Sequence, residues 1–377
     1  MRTLTLADTR RIAIRSQLLA GPPAGSVLDV FRRLGQLQVD PTSIVARAEQ
    51  ITLWSRLGAY DVGELRHLLE ETRELFEYRA FILPMADLEL HRPTMERFPS
   101  PTTTRGRLTA QWLRDNVAFR AYVLGELERR GPLPSGAFDD RAEVPWQTGG
   151  WNDGKNVGQM LEALARAGTI GISRRDGAQR VWDLTSRIWP ATESLPDEVV
   201  AIELLDRRLR AKGITTPPFG DGIHYELPAR DLALESLLTD GVAVPVAIDG
   251  LPGEWVAHRD ALDELDDEPW APRTALIGPF DPLIADRVRT QALFGMTYAF
   301  ELYKPAARRQ YGPYALVALD GDQLMGRIDA RMDRKTRVLM VNGWFPEPNA
   351  SSTWPAVVAA LGALGEWLGA TDVALPA

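Results

Sequence analysis

The chain has 377 residues and a formal net charge of −8, with 45% hydrophobic and 25% charged residues and no cysteine. These figures describe an ordinary globular protein of two or three domains and exclude disulfides and cysteine-ligated metal. Four scattered histidines (His67, His91, His224, His258) without paired spacing lead us to expect no metal. No apolar run approaches the ~20 residues of a membrane span, and the polar start MRTLTLADTRR is unlike a signal peptide. A soluble, cytoplasmic protein with no membrane partner is expected.

Along the chain, residues 1–100 read as helices around one short strand. Thr5-Leu6-Ala7-Asp8 has the spacing of a capping box before an amphipathic stretch to Ala20, and Gly21-Pro22-Pro23 stops it. Ser26 is placed to cap VLDVFRRL, which Gly35 ends. QLQVDP then alternates like a strand, and a helix is expected across SIVARAEQITLW. Asp61 and Glu64 repeat the capping pattern before ELRHLLEETRELFEY.

Residues 101–190 have the plan of a winged helix. Helical stretches around 107–130 precede KNVGQMLEALARAG, a candidate recognition helix, and then a hairpin: TIGIS, a turn over Arg174-Arg175-Asp176-Gly177, and RVWDL. In such folds the helix enters the major groove and the wing meets phosphates, which nominates Arg174, Arg175 and Arg180. Residues 191–270 form an acidic, winged-helix-like unit with a β pair (VAVPVAI, EWVAH) and an acidic connector, DELDDEPW. Residues 271–377 read as an α+β domain with a three-stranded meander (YALVALD, QLMGRIDARM, VLMVNGWF) and a last helix over Thr353–Leu368.

The negative charge is localised. By segment the net charge is 0 over 1–100, +3 over 101–190, −12 over 191–270 and +1 over 271–377. A phosphate-binding face outside the acidic block is therefore compatible with the total. Lys304, Arg308, Arg309, Arg334 and Lys335 fall in a basic stretch around the meander, and Arg47 and Arg56 in the N-terminal part.

There is no GxxxxGK[ST] phosphate loop, no GxGxxG after a strand and no GxSxG elbow. Nucleotide hydrolysis, dinucleotide chemistry and serine-hydrolase chemistry have no support, and no cofactor is expected. The informative stretch is Gln36-Leu37-Gln38-Val39-Asp40-Pro41. In a strand, Leu37 and Val39 would face the core, and Gln36, Gln38 and Asp40 the other side. An amide can hold a water by donating and accepting at once; a carboxylate can take its proton or stabilise a developing cation. The competing reading is an edge strand whose Asp40 caps the next helix.

The segment LGQLQVDPTSIVARAEQITLWSRLG, with ELFEYRAFILPMADLELHRPTM after it, resembles the N-terminal signature of the YcaQ/AlkZ family of bacterial winged-helix DNA glycosylases. The stretch GPFDPLIADRVRTQALFGMTYAFELYKPAARRQYGPYALVALDGDQLMGRIDARMDRK is similar to that family's C-terminal part. The resemblance implies an α+β fold of tandem winged-helix-type domains with a C-terminal β-containing domain, curved around duplex DNA. It implies a DNA repair glycosylase acting on N7-alkylated purines in double-stranded DNA, bulky adducts and interstrand crosslinks included, and we expect N7-alkylated guanine as the substrate here. No lysine is placed near the motif to form a Schiff base, so a monofunctional enzyme is expected, and a DNA cleft built within one chain leads us to expect a monomer. Gln38-Val39-Asp40 matches the family's Gln-apolar-Asp motif, so Gln38 and Asp40 are the expected catalytic pair. The overlapping Gln36-Leu37-Gln38 matches the Gln-apolar-Gln form, two residues early. One departure is Glu49-Gln50, where YcaQ-like members often carry a His pair. The alternative is a non-catalytic winged-helix DNA-binding transcription regulator that reads sequence through residues 155–167.

Overall fold

The computed structural model describes residues 1–147, 153–217, 229–348, 350 and 352–376; Trp151 and His224 lie outside them. The chain is mixed α+β and divides into two compact units, one made of Met1–Val62 with Ala201–Ala377 and the other of Gly63–Val200.

The first unit joins the two ends of the chain. The strand Arg2–Leu4 runs parallel to Ala243–Ile248, with Arg2 opposite Val246. Leu251–His258 and Ile214–Thr215 complete this four-stranded sheet. Helix Leu6–Ser16 starts as expected, with the Thr5 hydroxyl accepting from the Asp8 amide at 3.0 Å. It stops at Ser16 rather than near Ala20, because Leu18 turns to φ 57°. Helix Val27–Leu34 also matches expectation: Ser26 caps it, and Gly35 ends it at φ 74°, a conformation that suits glycine.

A five-stranded sheet forms the other half of this unit. The expected meander appears as Leu316–Asp320, Gln323–Asp333 and Val338–Pro346, flanked by Thr274–Ile277 and Asp372–Ala374. Helix Trp354–Trp367 packs on it through Val357, Leu361 and Leu364. Helix Ala48–Leu57 brings Ile51 and Trp54 into the same apolar cluster as Leu276, Tyr314, Leu316 and Ile328.

The second unit holds helices Thr104–Asp115, Val117–Arg130 and Asn156–Arg166 around Trp112, Phe119, Met160 and Trp182. Its sheet has the order Leu133–Pro134, Gln179–Leu184, Ile170–Asp176. The helix followed by a two-stranded wing is the arrangement read from 155–184.

Four local expectations need correction. The helix expected from residue 43 begins only at Ala48, after an irregular segment. The stretch after Glu64 is helical only to Glu70; Leu75–Tyr78 is a strand paired with Phe81–Pro84. The aromatic and apolar content of LFEY suits a strand, and Arg73 at φ 59° breaks the helical path. DELDD is not a connector but part of helix Arg259–Asp267. Finally, the wing turns at Gly177-Ala178, since Asp176 pairs with Gln179. Arg174 and Arg175 therefore lie in the strand and not at its tip. Among the described residues, no helix is long and apolar enough to cross a membrane.

Candidate active site

The regular strand around the nominated motif is only Leu37–Gln38, yet the alternation continues past it. Leu37 and Val39 are buried, while Gln36, Gln38 and Asp40 are all part-exposed. The Asp40 Oδ1 accepts from the Thr42 amide at 2.8 Å, a local turn that fixes the carboxyl against its own backbone. Asp40 does not cap the next helix; that helix begins eight residues later, after Arg47. Among the described residues no hydrogen bond occupies the Asp40 Oδ2 or the Gln38 side-chain amide. Two polar groups with spare capacity thus share one side of the chain.

The segment that follows is held from the meander. The Met332 amide donates to the Ile44 carbonyl at 2.9 Å. The Arg334 guanidinium donates to the Ser43 carbonyl (3.1 Å), the Ser43 hydroxyl (2.9 Å) and the Val45 carbonyl (3.3 Å). Arg334, expected on DNA, is therefore engaged with the loop that carries Asp40. Beneath this loop Val45 and Ala46 are buried against Tyr314 and Leu316.

Sequence reading noted Glu49 only as a departure from the family pattern and missed Tyr314. Glu49 is 4% exposed, in the first turn of helix Ala48–Leu57, where the helix dipole favours a carboxylate. Its neighbour Gln50 turns back to accept from the Arg47 amide at 3.4 Å, a capping role that explains a Gln at this position. Tyr314 is fully buried, and its hydroxyl has no hydrogen-bond partner among the described residues. Burial raises the Tyr314 pKa far above the usual phenol range, and Tyr298, Asp40 and Glu49 push it further the same way. In YGPYALVALD this tyrosine reads as one more core aromatic, so the sequence carries no signal for it.

The other nominated cations separate into two groups. Arg56 is not a surface residue. Both of its terminal nitrogens reach the Asp281 carboxylate, Nη2 at 2.9 Å, and both residues are wholly buried. Its Nε donates to the Gln17 carbonyl at 3.0 Å. Near Asp281, Arg287 and Arg289, which were not among the nominated cations, also turn inward, onto carbonyls of Pro279 and Ile284, and of Lys212 and Ile214. The wing arginines are all paired: Arg174 with Asp176 (3.2 Å), Arg175 with Glu77 (2.5 Å) and Arg180 with Glu162 (2.5 Å). Arg309 donates to the Lys304 and Leu302 carbonyls, and Lys304 pairs with the buried Glu301 at 2.8 Å. Arg47 is part-exposed at the start of its helix. Arg308 and Lys335 are exposed, with no ion pair among the described residues.

Residues 31–367 match the family model described as DNA glycosylase AlkZ-like. The chain belongs to the AlkZ-like DNA glycosylase family. Among solved structures, the DNA glycosylase AlkZ of Streptomyces sahachiroi superposes with a TM-score of 0.62 at 17% identity, with 100% of each chain covered. That likeness shows a shared mixed α+β fold containing winged-helix elements. An AlkZ-like protein of this kind is an enzyme, a DNA glycosylase whose substrate is DNA, and the α+β winged-helix architecture expected from the sequence is the one present.

Proposed function

We propose that the protein releases N7-alkylated guanine from double-stranded DNA by hydrolysis, with Asp40 and Gln38 as the reacting pair. The observation that carries this reading is their placement: two part-exposed polar side chains on one side of the chain, with the Gln38 amide and the Asp40 Oδ2 uncommitted. Alkylation at N7 makes the purine cationic, so it departs without a strong general acid. The C1′–N9 bond breaks with its electron pair going to the purine, and the sugar becomes oxocarbenium-like, as in glycoside hydrolysis. The Asp40 carboxylate stabilises that cation and polarises a water that Gln38 orients. The water oxygen bonds to C1′, its proton passes through Asp40 to solvent, and an abasic site remains. Nothing in this sequence of steps uses an amine nucleophile, so no strand cleavage follows.

The same reading extends to unhooking interstrand crosslinks, to a cytoplasmic monomer, and to segments 1–100, 101–190 and 191–270 as successive winged-helix-type units before the 271–377 domain. Arg308 and Lys335 are the nominated cations best placed to meet phosphates, and Arg47 is assigned there with them. Replacing Arg308 and Lys335 together by Ala weakens binding to undamaged duplex and lowers the slope of log K against log salt by about 2, roughly one for each phosphate no longer neutralised. A titration at four salt concentrations measures it; an unchanged slope removes both residues from the interface.

The test of the function is base release from a duplex containing a single N7-methylguanine, followed by chromatography of the free base. Release of free base leaving an alkali-labile strand supports the reading. Absence of release from this duplex and from a nitrogen-mustard crosslink, together with a sequence-specific footprint on undamaged DNA, would establish the regulator instead.

A further inference from the structure

The second unit holds backbone strain and surplus charge at one place. Strands Leu75–Tyr78 and Phe81–Pro84 pair with Tyr78 opposite Phe81, so their hairpin turns on two residues, Arg79 and Ala80. Both stand at positive φ, 51° and 63°. Two-residue turns of this hand favour Asn-Gly or Asp-Gly, because other side chains are strained there. Such strain collects at active sites and ligand clamps.

Arg79 borders a notch within this unit, lined also by Glu77, Glu162, Arg166, Arg180 and Trp189. The Tyr78 hydroxyl donates to the Arg166 carbonyl at 3.0 Å, which ties the hairpin to the end of helix Asn156–Arg166. Both carboxylates of the notch are already engaged, Glu77 by Arg175 and Glu162 by Arg180, each at 2.5 Å. Four guanidiniums (Arg79, Arg166, Arg175, Arg180) thus stand against two carboxylates. Arg166 is part-buried, and its guanidinium has no hydrogen bond or ion pair among the described residues. Burial, with Arg79 and Arg105 acting in the same direction and Glu162 opposing, holds Arg166 below the ordinary guanidinium range. An anion placed among these cations relieves their repulsion.

The size of the notch narrows the choice of anion. Its space, about 20 Å³, admits one water-sized group and not a nucleotide base. A phosphate oxygen presented from outside meets that limit, and guanidinium forks match phosphate geometry. We propose that the notch between the Arg79 hairpin and the end of helix Asn156–Arg166 binds one backbone phosphate of the duplex, with Arg166 and Arg79 as its ligands. The proposal rests on DNA as the substrate and not on the assignment of Asp40. A failure of base release leaves the notch untouched, and a failure of the notch leaves the reacting pair untouched.

The test is binding of undamaged duplex at four salt concentrations by wild type and by Arg79→Gly/Arg166→Gln. The double variant is expected to lower the slope of log K against log salt by about one, and to weaken binding roughly five- to tenfold at about 0.1 M salt. Its urea-unfolding midpoint should be unchanged or higher, since glycine suits the turn and the crowded charge is gone. Arg166→Lys keeps the charge and should keep the slope. An unchanged slope in the double variant overturns the proposal. So does a lower slope accompanied by a lower unfolding midpoint, the pattern of a damaged fold. Inorganic phosphate separates the two sources of the anion. If it raises the midpoint of wild type but not of the double variant, while the DNA slope is the same in both, the notch holds a free anion and its assignment to the duplex is wrong.

Discussion

Asp40→Asn is expected to lower single-turnover excision of N7-methylguanine by roughly 10²–10⁴-fold, the range associated with loss of a positioned acid–base group. Duplex affinity should change less than about twofold, since the substituted group acts on charge that develops only in the transition state. This substitution is unusually clean here. The Asp40 Oδ1 accepts from the Thr42 amide, and an asparagine carbonyl oxygen can accept the same bond, so the local turn survives. What disappears is the negative charge and the basicity of the second oxygen, which is the one left uncommitted. Gln38→Ala should give a smaller loss, because it removes orientation and not charge. Excision that is unaltered in both variants would remove the motif from the chemistry.

Arg56→Leu should have the largest effect on stability, about 3–5 kcal/mol, the cost of stranding a buried partner charge. Total stabilities of 5–15 kcal/mol are typical, so the variant is expected to lie near the edge of folding. The Asp281 carboxylate would remain with no exposure to water and only the Leu283 amide, at 3.0 Å, as a donor among its present bonds. The Gln17 and Thr52 carbonyls would lose their guanidinium donors as well. Arg56→Lys should also be poorly tolerated, because a single ammonium cannot reproduce the fork that engages both Asp281 oxygens. Urea titration of Arg56→Leu beside Arg56→Leu/Asp281→Leu tests the argument. The double variant should recover part of the loss, since neither charge is then stranded. A single variant within about 1 kcal/mol of wild type contradicts it.

These two residues also mark the limits of sequence reading. Asp40 is legible because its setting is local: the period-two burial of Leu37 and Val39 is written in five consecutive residues, as are the caps at Thr5 and Ser26 and the stop at Gly35. The role of Arg56 is not, because its partner Asp281 lies 225 residues away. Nothing in LWSRLG distinguishes an arginine bound for phosphate from one bound for the core. The wing arginines fail for a related reason. Asp-Gly suggested a tip at Arg174–Gly177, but the true tip lies one step later; of the displaced side chains Arg174 pairs with Asp176 on its own strand and Arg175 with Glu77 on another element, while Arg180 finds Glu162. Leu75–Tyr78 shows how tertiary context overrides helical periodicity once a break at Arg73 and a pairing partner at Phe81–Pro84 are present.

The parallel pairing of Arg2–Leu4 with Val246–Ile248 has a consequence for biosynthesis. Residues Arg2–Leu4 leave the ribosome well before their partners, which lie some 240 positions downstream. At about 5–20 residues per second, that interval is roughly 12–50 s. Throughout it the loop that follows Asp40 lacks its hold from the meander, since Met332 and Arg334 are synthesised later still. The intervening unit, Gly63–Val200, is compact within its own stretch of chain and can form meanwhile. On the site assignment proposed above, a product truncated before Met332 carries the Gly63–Val200 unit beside a reacting pair whose loop has nothing to hold it in place.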